Sequence, residues 1–550
     1  MVFDIFTASS LEKVFPESIS NITPLKRASV LRGEVFSFQI ICRCDVPADI
    51  TAICTSDLEV MLRETSLIPC EVPAVDSSDD SFVLKTTCGL YPDALTVTDT
   101  YRVPAKQYRS IWVTVKTAPE TPAGLHNIEV KLDAKCTGDA NCCESSCCVE
   151  LDILPVVLPE QQLIHTEWFH ADCIYTKYNV DCWSDEHWKL LEKYFQNFSS
   201  HGINMLLTPL WTPPLDTAVE KERPTVQLLD IVYDNGKFFF DFFRLEKWIV
   251  LAKKCGIKYF EMAHPFTQWG AEHAPKIIVK VDGREEKMFG WHTDSCGNEY
   301  TNFLHQLFPQ LLAFLKKMGI KEDCYFHVSD EPGVGHIETY SKCSALIKEL
   351  TSDGKIIDAL SSIDFYRRKL VKTPIPGNNH IEDFRNENVK PLWTYYCCGQ
   401  TTKVPNRFFN FPSARNRVLG VLMYVYDIAG FLQWGYNFWY SRHSQKTDID
   451  PFKVTDADRS FPSGDAFLVY PGKDAPVDSI RHEVMREALQ DLRALKKLEE
   501  LIGREKTLEL IHDGVGHELT MANYPHSADW LLGLRERINA KISKNNTVCI

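Results

Sequence analysis

Apolar and charged residues alternate strictly over Ile128-Glu129-Val130-Lys131-Leu132-Asp133 and over Glu150-Leu151-Asp152-Ile153. Side chains of a strand point alternately to its two faces, so this period of two predicts half-buried strands. Ser110-Ile111-Trp112-Val113-Thr114-Val115 predicts another strand. Pro119, Pro122 and Gly124 supply the turn that follows it. Short strands separated by such turns predict a β-sandwich over residues 1–157.

Beyond Pro155 and Pro159, which bracket a linker, the period changes. Continuous apolar runs predict buried strands at Ile203–Leu207, Lys258–Met262, Cys324–Val328, Leu392–Tyr396, Gly430–Trp434 and Ala466–Tyr470. Helical stripes lie between them. Trp188, Leu191, Phe195 and Phe198 form one, with Ser184 as its N-cap. Leu304, Phe308, Leu311 and Leu315 form a second, stopped by Gly319. A third runs from Ile480 to Leu498. Strands alternating with helices imply parallel βαβ units, and seven or eight of them over residues 160–498 predict a (β/α)8 barrel. Residues 499–550 read as a polar helical extension.

Hydrophobic residues make up 44% of the 550, enough to bury a large core and to exclude global disorder. The net charge of −14, without a long Lys/Arg run, excludes nucleic acid and anionic membrane as general partners. No stretch has the ~20 apolar residues of a spanning helix. The start Met-Val-Phe-Asp-Ile-Phe lacks a basic segment followed by an apolar one, which predicts a cytoplasmic protein without a secretory signal. Nineteen cysteines are spread along the chain and read mainly as reduced, buried small side chains. Cys136, Cys142, Cys143, Cys147 and Cys148 cluster, but their spacing fits no pair of C-x-x-C knuckles. They are expected in a hairpin loop without an essential metal. No cofactor is expected, and the oligomeric state is not legible.

Reactive groups of a (β/α)8 barrel gather where strands end. The strand Phe326-His327-Val328 runs directly into Ser329-Asp330-Glu331-Pro332. Adjacent carboxylates repel, so at least one holds its proton to higher pH. One acid and one anion is the combination that cleavage of a glycosidic bond requires. An Asp ahead of a Pro equally suits a helix N-cap. The aromatic content of the other strand ends favours the chemistry: Trp168 and His170, Trp211, His264 and Trp269, Trp291 and His292, Tyr395 and Tyr396, Trp434, Asn437 and Trp439. Sugar rings have apolar faces that pack on aromatic rings and hydroxyl edges that need polar partners.

Four stretches resemble glycoside hydrolase family 123. They are Gly89-Leu90-Tyr91-Pro92-Asp93 with Ile111-Trp112-Val113 and Thr121-Pro122-Ala123-Gly124; Ser329-Asp330-Glu331-Pro332; Trp393-Thr394-Tyr395-Tyr396-Cys397-Cys398-Gly399; and the block from Gly430 to Trp439 that continues through Gly464–Gly472 to Ser479-Ile480-Arg481 and Arg486-Glu487. The resemblance implies a retaining, exo-acting β-N-acetylgalactosaminidase. In such an enzyme the acetamido oxygen of the sugar attacks its own anomeric carbon. By position, Asp330 would orient the acetamido group and stabilise the oxazolinium intermediate. Glu331 would protonate the leaving oxygen and then activate water. Tyr395 or Tyr396 would bond the acetamido oxygen. Trp434, Asn437, Trp439, Asn406, Arg415, His170, Trp211 and His264 are the further pocket candidates. The partner implied is a glycan or glycoconjugate ending in N-acetylgalactosamine.

Two other functions fit the same residues. One is a glycosidase of different specificity, on N-acetylglucosaminides or on sugars without an acetamido group, pairing Glu331 with an acid such as Asp364. The other is a carbohydrate-binding protein without turnover. Phosphate-binding, nucleophile-elbow and H-E-x-x-H motifs do not occur in the sequence.

Overall fold

Ten strands between Phe3 and Val157 form two five-stranded sheets that share one apolar core. The computed structural model describes residues 2–19, 22–73, 80–136, 142–352 and 354–546. Phe38, Ile40, Ile111 and Val113 of one sheet meet Ile128, Val130, Leu132 and Leu151 of the other. The alternation seen in the sequence places these residues inward and their charged neighbours outward. Cys142, Cys143, Cys147 and Cys148 do not lie in a hairpin loop. They sit on the strand Cys142–Val157, paired antiparallel with Gly124–Cys136, so strand pairing runs further than expected. The connection between them, 137–141, lies outside the described residues.

The second part is a ring of parallel strands: β1 (Ile164–Glu167), β2 (Met205–Thr208), β3 (Tyr259–Met262), β4 (Cys324–Tyr325), β5 (Ile357–Ala359), β6 (Thr373–Ile375), β7 (Leu392–Tyr395) and β8 (Ile428–Gln433). Six form one continuous sheet in the order β4-β3-β2-β1-β8-β7, and β5 pairs with β6. Parallel bridges from Phe326 to Ile356 and from Gly377 to Tyr395 join the two pieces. The ring therefore closes in chain order, as the alternation of strands and helices predicts. Trp168, Met205, Leu207, Tyr325, Ile357, Trp393 and Leu432 fill its interior. At Gly430 an added Cβ would stand 2.1 Å from the Trp393 ring, so only glycine lets that indole cross the barrel there.

The segment Ala466–Tyr470 is buried but is not a barrel strand. Phe467 makes one antiparallel bridge to Asn437, and Tyr470–Pro471 pairs only with Pro476–Val477. Its apolarity comes from packing over the chain after β8, where a Cβ on Gly435 would lie 2.2 Å from the Ala466 carbonyl oxygen.

The helical stripes fold as expected. Ser184 accepts from the His187 amide at 3.2 Å to open Asp185–Ser200, and Ser479 accepts from His482 at 3.1 Å to open Ile480–Ile502. The second stripe forms Asn298–Lys317, followed by Gly319 at φ +68°. The final helix, Ala528–Asn546, lies between Ile480–Ile502 and the sandwich. Its Arg535 is buried between Glu34 of the sandwich and Asp491, the latter at 2.7 Å. No helix among the described residues is long and apolar enough to cross a membrane.

Candidate active site

At the C-terminal end of the ring lies a cavity of about 300 Å³. Trp168, Leu215, Ala359 and Leu432 are its apolar lining, and Trp269, Trp434 and Phe461 add aromatic walls. Asp216, Asp330, Glu331, Tyr395 and Arg442 bring the polar groups. A few convergent polar groups in an aromatic hollow is the usual make-up of a small-ligand site.

Asp330 and Glu331 enter directly from the end of β4. Their backbone is pinned on both sides: Asp330 O accepts from the Trp269 amide at 2.8 Å, and the Glu331 amide donates to Ala359 O at 3.0 Å. Glu331 has φ +44°, a conformation a non-glycine residue keeps only where its surroundings enforce it. The pair does not cap a helix, since the next one starts beyond Gly333. Both side chains are half-buried. The Asp330 carboxyl makes no hydrogen bond to any described residue. Burial, and then the charge of Glu331 beside it, push its pKa well above the usual carboxylate range, against the opposing pull of His327. Glu331 is held differently: Tyr395 Oη donates to its Oε1 at 2.6 Å.

Beneath Asp330, His327 is fully buried in the barrel, with Nε2 2.5 Å from Glu261 and Nδ1 3.0 Å from Asp358. Burial opposes charge on this ring, but the hydrogen bonds to Asp358 and Glu261 outweigh it and push its pKa up to about 9. Glu261 also accepts from Thr166 Oγ1 at 2.6 Å and from Trp168 Nε1 at 2.8 Å. The imidazolium is thus the hub that ties β1, β3, β4 and β5 under the cavity and holds the Trp168 indole in place.

The structure separates the other sequence candidates. Tyr395 lines the cavity, whereas Tyr396, on the opposite face of the strand end, donates to Asn416 at 3.2 Å within the core. Trp434 is a wall, fixed by Asp465 at 2.9 Å from its Nε1. Burial pushes Asp465 up to about 7, with Arg407 working against it. The remaining candidates do not line the cavity. Asn437 bonds both the amide and the carbonyl of His170, at 2.8 and 3.0 Å. His170 Nε2 donates to Trp434 O at 2.9 Å. Asn406 donates to Cys397 O and Gln400 O, each at 2.9 Å. These three brace the backbone behind the cavity. Trp439 donates to Val469 O and Trp211 to His264 O, both as core residues. His264 stacks on His327 at 3.8 Å between ring centres. Arg415 pairs with Asp80 at 2.6 Å, tying the barrel to the sandwich. Asp364 forms a surface pair with Arg367 and lies off the cavity. Strand-end aromatics and polar residues are thus of two kinds, and sequence position alone does not separate them.

Four polar groups of the site were not among the candidates: Asp216, Gln268, Arg442 and the Cys397–Cys398 pair. Asp216 is pushed up to about 6 by burial. Its amide donates to Gln268 Oε1 at 2.5 Å, and the buried Nε2 of Gln268 has no partner among the described residues. Asp216 lies eight residues beyond β2 and Arg442 nine beyond β8, in irregular chain and a short 3-10 turn, so no periodic signal marks them. The cysteines follow Tyr395-Tyr396 directly, and nothing in their spacing marks them as cavity residues.

The sequence profile described as "Glycoside hydrolase 123, catalytic domain" matches residues 168–498, which contain every cavity residue named above. The chain belongs to glycoside hydrolase family 123. A family 123 glycoside hydrolase from Clostridium perfringens, whose structure is described in terms of glycolipid glycan hydrolysis, shares the fold: TM-score 0.75 at 15% identity, over 100% of this chain and 98% of that one. A family 5 mannosidase from Rhizomucor miehei is much less similar (TM-score 0.31, 10% identity, 63% of this chain and 94% of that one). No curated protein matches the sequence. The family 123 assignment makes this chain a glycoside hydrolase, with sandwich and barrel arranged as in the Clostridium enzyme.

Proposed function

We propose that this family 123 hydrolase releases terminal β-linked N-acetylgalactosamine from a glycoconjugate, with retention, through an oxazolinium intermediate. The observation that carries this reading is the contrast between two adjacent carboxyls. Asp330 is unpartnered in the cavity and favours its proton. Glu331 is positioned by the Tyr395 hydroxyl.

The steps follow from that contrast. The acetamido group of the sugar lies against Asp330, whose unpaired oxygen accepts its N–H. The two carboxyls share one proton, which passes from Asp330 to Glu331 as the substrate binds, so that the Asp330 anion stabilises the positive charge that grows on the ring as the acetamido oxygen closes on the anomeric carbon. Glu331 gives its proton to the leaving oxygen, then takes one from the water that reopens the intermediate. Tyr395 steadies the Glu331 carboxylate produced between those two steps. Trp434, Trp269 and Trp168 give the sugar apolar faces to pack on. The preference for galacto over gluco rests on family membership. The glycolipid glycans associated with the Clostridium relative support a glycoconjugate substrate.

Asp216 favours a second reading, a two-carboxylate glycosidase in which it partners Glu331. One screen separates the two: nitrophenyl β-glycosides with and without the 2-acetamido group, in both C4 configurations, with a thiazoline analogue of the cyclised sugar as inhibitor. Turnover confined to acetamido sugars, with the thiazoline binding far tighter than free sugar, supports substrate assistance. Turnover of sugars lacking the acetamido group removes it.

A further inference from the structure

Cys397 and Cys398 are neighbours in sequence and both line the cavity, half-exposed. They open the turn that follows β7, in which the Gln400 amide donates to Cys397 O at 3.2 Å. Three further ties hold this turn: Cys397 N to Gln400 Oε1 at 2.7 Å, Asn406 Nδ2 to Cys397 O at 2.9 Å, and Asn406 Nδ2 to Gln400 O at 2.9 Å. Tyr395, which positions Glu331, lies two residues upstream on the same strand. The neighbouring Cys398 thiol, together with burial, pushes the Cys397 thiol well above its usual range. Nothing in the proposed glycosidase chemistry uses either sulfur.

We propose that Cys397 and Cys398 form a two-thiol redox site in the wall of the cavity, converted by a peroxide to a disulfide between neighbours that lowers activity, and able in the reduced state to chelate a trivalent arsenical. Cys398 is the attacking sulfur. Its thiolate displaces hydroxide from hydrogen peroxide, the O–O bond breaks, and a sulfenic acid forms. Cys397 sulfur then displaces the second hydroxide, and the S–S bond closes. Each hydroxide leaves as water with one thiol proton. Two thiols and one peroxide thus give one disulfide and two waters; the sulfurs lose two electrons and the peroxide gains them.

Consecutive Cα atoms are about 3.8 Å apart across a trans peptide, closer than the roughly 4.4–6.8 Å of an ordinary disulfide. Closing the ring therefore strains the peptide between the cysteines and the turn anchored on Gln400 and Asn406. That strain also makes the bond easy to reduce, as expected of a reversible site rather than a structural one. Tyr395 moves with the turn, which is how the ring acts on Glu331.

The test treats the full-length protein with hydrogen peroxide, blocks remaining thiols and sequences the peptides by mass spectrometry. The expected result is a Cys397–Cys398 peptide lacking two hydrogens and carrying no blocking group, with turnover of an aryl glycoside falling at least ~10-fold and returning with dithiothreitol. Phenylarsine oxide should bind the reduced protein, be released by a dithiol but not by a monothiol, and fail to bind after oxidation. C397S and C398S should each lose both the ring and the dithiol-reversible arsenical binding. Recovery of the two cysteines as separately blocked or over-oxidised residues, ring formation without loss of turnover, or unchanged arsenical binding in the variants would overturn the proposal. The mass and arsenical measurements do not depend on the glycoside chosen, so a wrong sugar assignment and a wrong redox assignment give different results.

Discussion

Tyr395 Oη stands 2.6 Å from Glu331 Oε1, donating to a carboxyl whose backbone is held at φ +44°. A hydroxyl on one barrel strand thereby fixes the side chain that the next but two strands back delivers. A hydrogen bond to a charged group contributes ~1.5–3 kcal/mol. Tyr395→Phe is therefore expected to lower kcat by roughly 10- to 100-fold with little change in KM. Steady-state kinetics on an aryl N-acetylgalactosaminide measures this; a rise in KM alone would show that Tyr395 acts in binding.

In the proposed mechanism Glu331→Gln removes the proton that the leaving oxygen needs. General acid catalysis is typically worth ~10²–10⁴-fold. The loss should approach that range on substrates with poor leaving groups and shrink on dinitrophenyl glycosides. Equal losses across a leaving-group series would take Glu331 out of the acid role.

In the proposed mechanism Asp330 must be ionised to stabilise the cyclised intermediate, and its pKa is raised by burial and by Glu331. Activity should therefore fall as pH drops through a value above the ordinary carboxylate range. In Asp330→Asn that acid limb should disappear from the kcat/KM profile, and affinity for the thiazoline inhibitor should fall with it. A wild-type acid limb near pH 4 would contradict the raised value.

His327 links charge to stability. Its pKa in the folded chain is about 9, above the ~6.5 of an unfolded histidine. The stabilisation is complete below pH 6.5 and is lost as pH rises through 9, amounting to on the order of 3 kcal/mol across that window. The urea midpoint of the wild type should decline over this range, and that of His327→Gln should start lower and decline less. Parallel slopes would mean that His327 is not the titrating group.

Gly430→Ala would drive a methyl group to within 2.1 Å of the Trp393 ring. Overpacking of this kind costs ~1–3 kcal/mol, read as a lower urea midpoint. An unchanged midpoint would show that the indole has room to move.

The barrel is legible because β2, β3, β7 and β8 are buried on both faces and read as mainly apolar runs, Glu261 of β3 being the charged exception. β5 and β6 escaped notice because each pairs over only three residues, and Pro374 interrupts the second. Ala466–Tyr470 misled for the complementary reason: burial without strand pairing leaves the same apolar signature. Asp330 and Glu331 stood out as charges at the end of an apolar run. Asn437, Trp439, Trp211 and Arg415 are weaker candidates that the sequence cannot separate from Trp434, since a buried polar atom with a backbone partner has the same sequence appearance as one facing a ligand. Asp216 comes from irregular chain and Arg442 from a short 3-10 turn, where no period marks a position.

Arg535 carries a consequence for how the chain matures. It is the counter-ion of both Glu34 and Asp491, all three buried, and it belongs to the helix Ala528–Asn546, which is made long after the sandwich. Until synthesis reaches that helix, Asp491 has Arg417 as its cation, at 2.7 Å, while Glu34 lacks the guanidinium that it shares with Asp491. The sandwich and the helix Ala528–Asn546 therefore lock together only once both are made, and a nascent chain stopped before residue 528 would leave that seam unsealed.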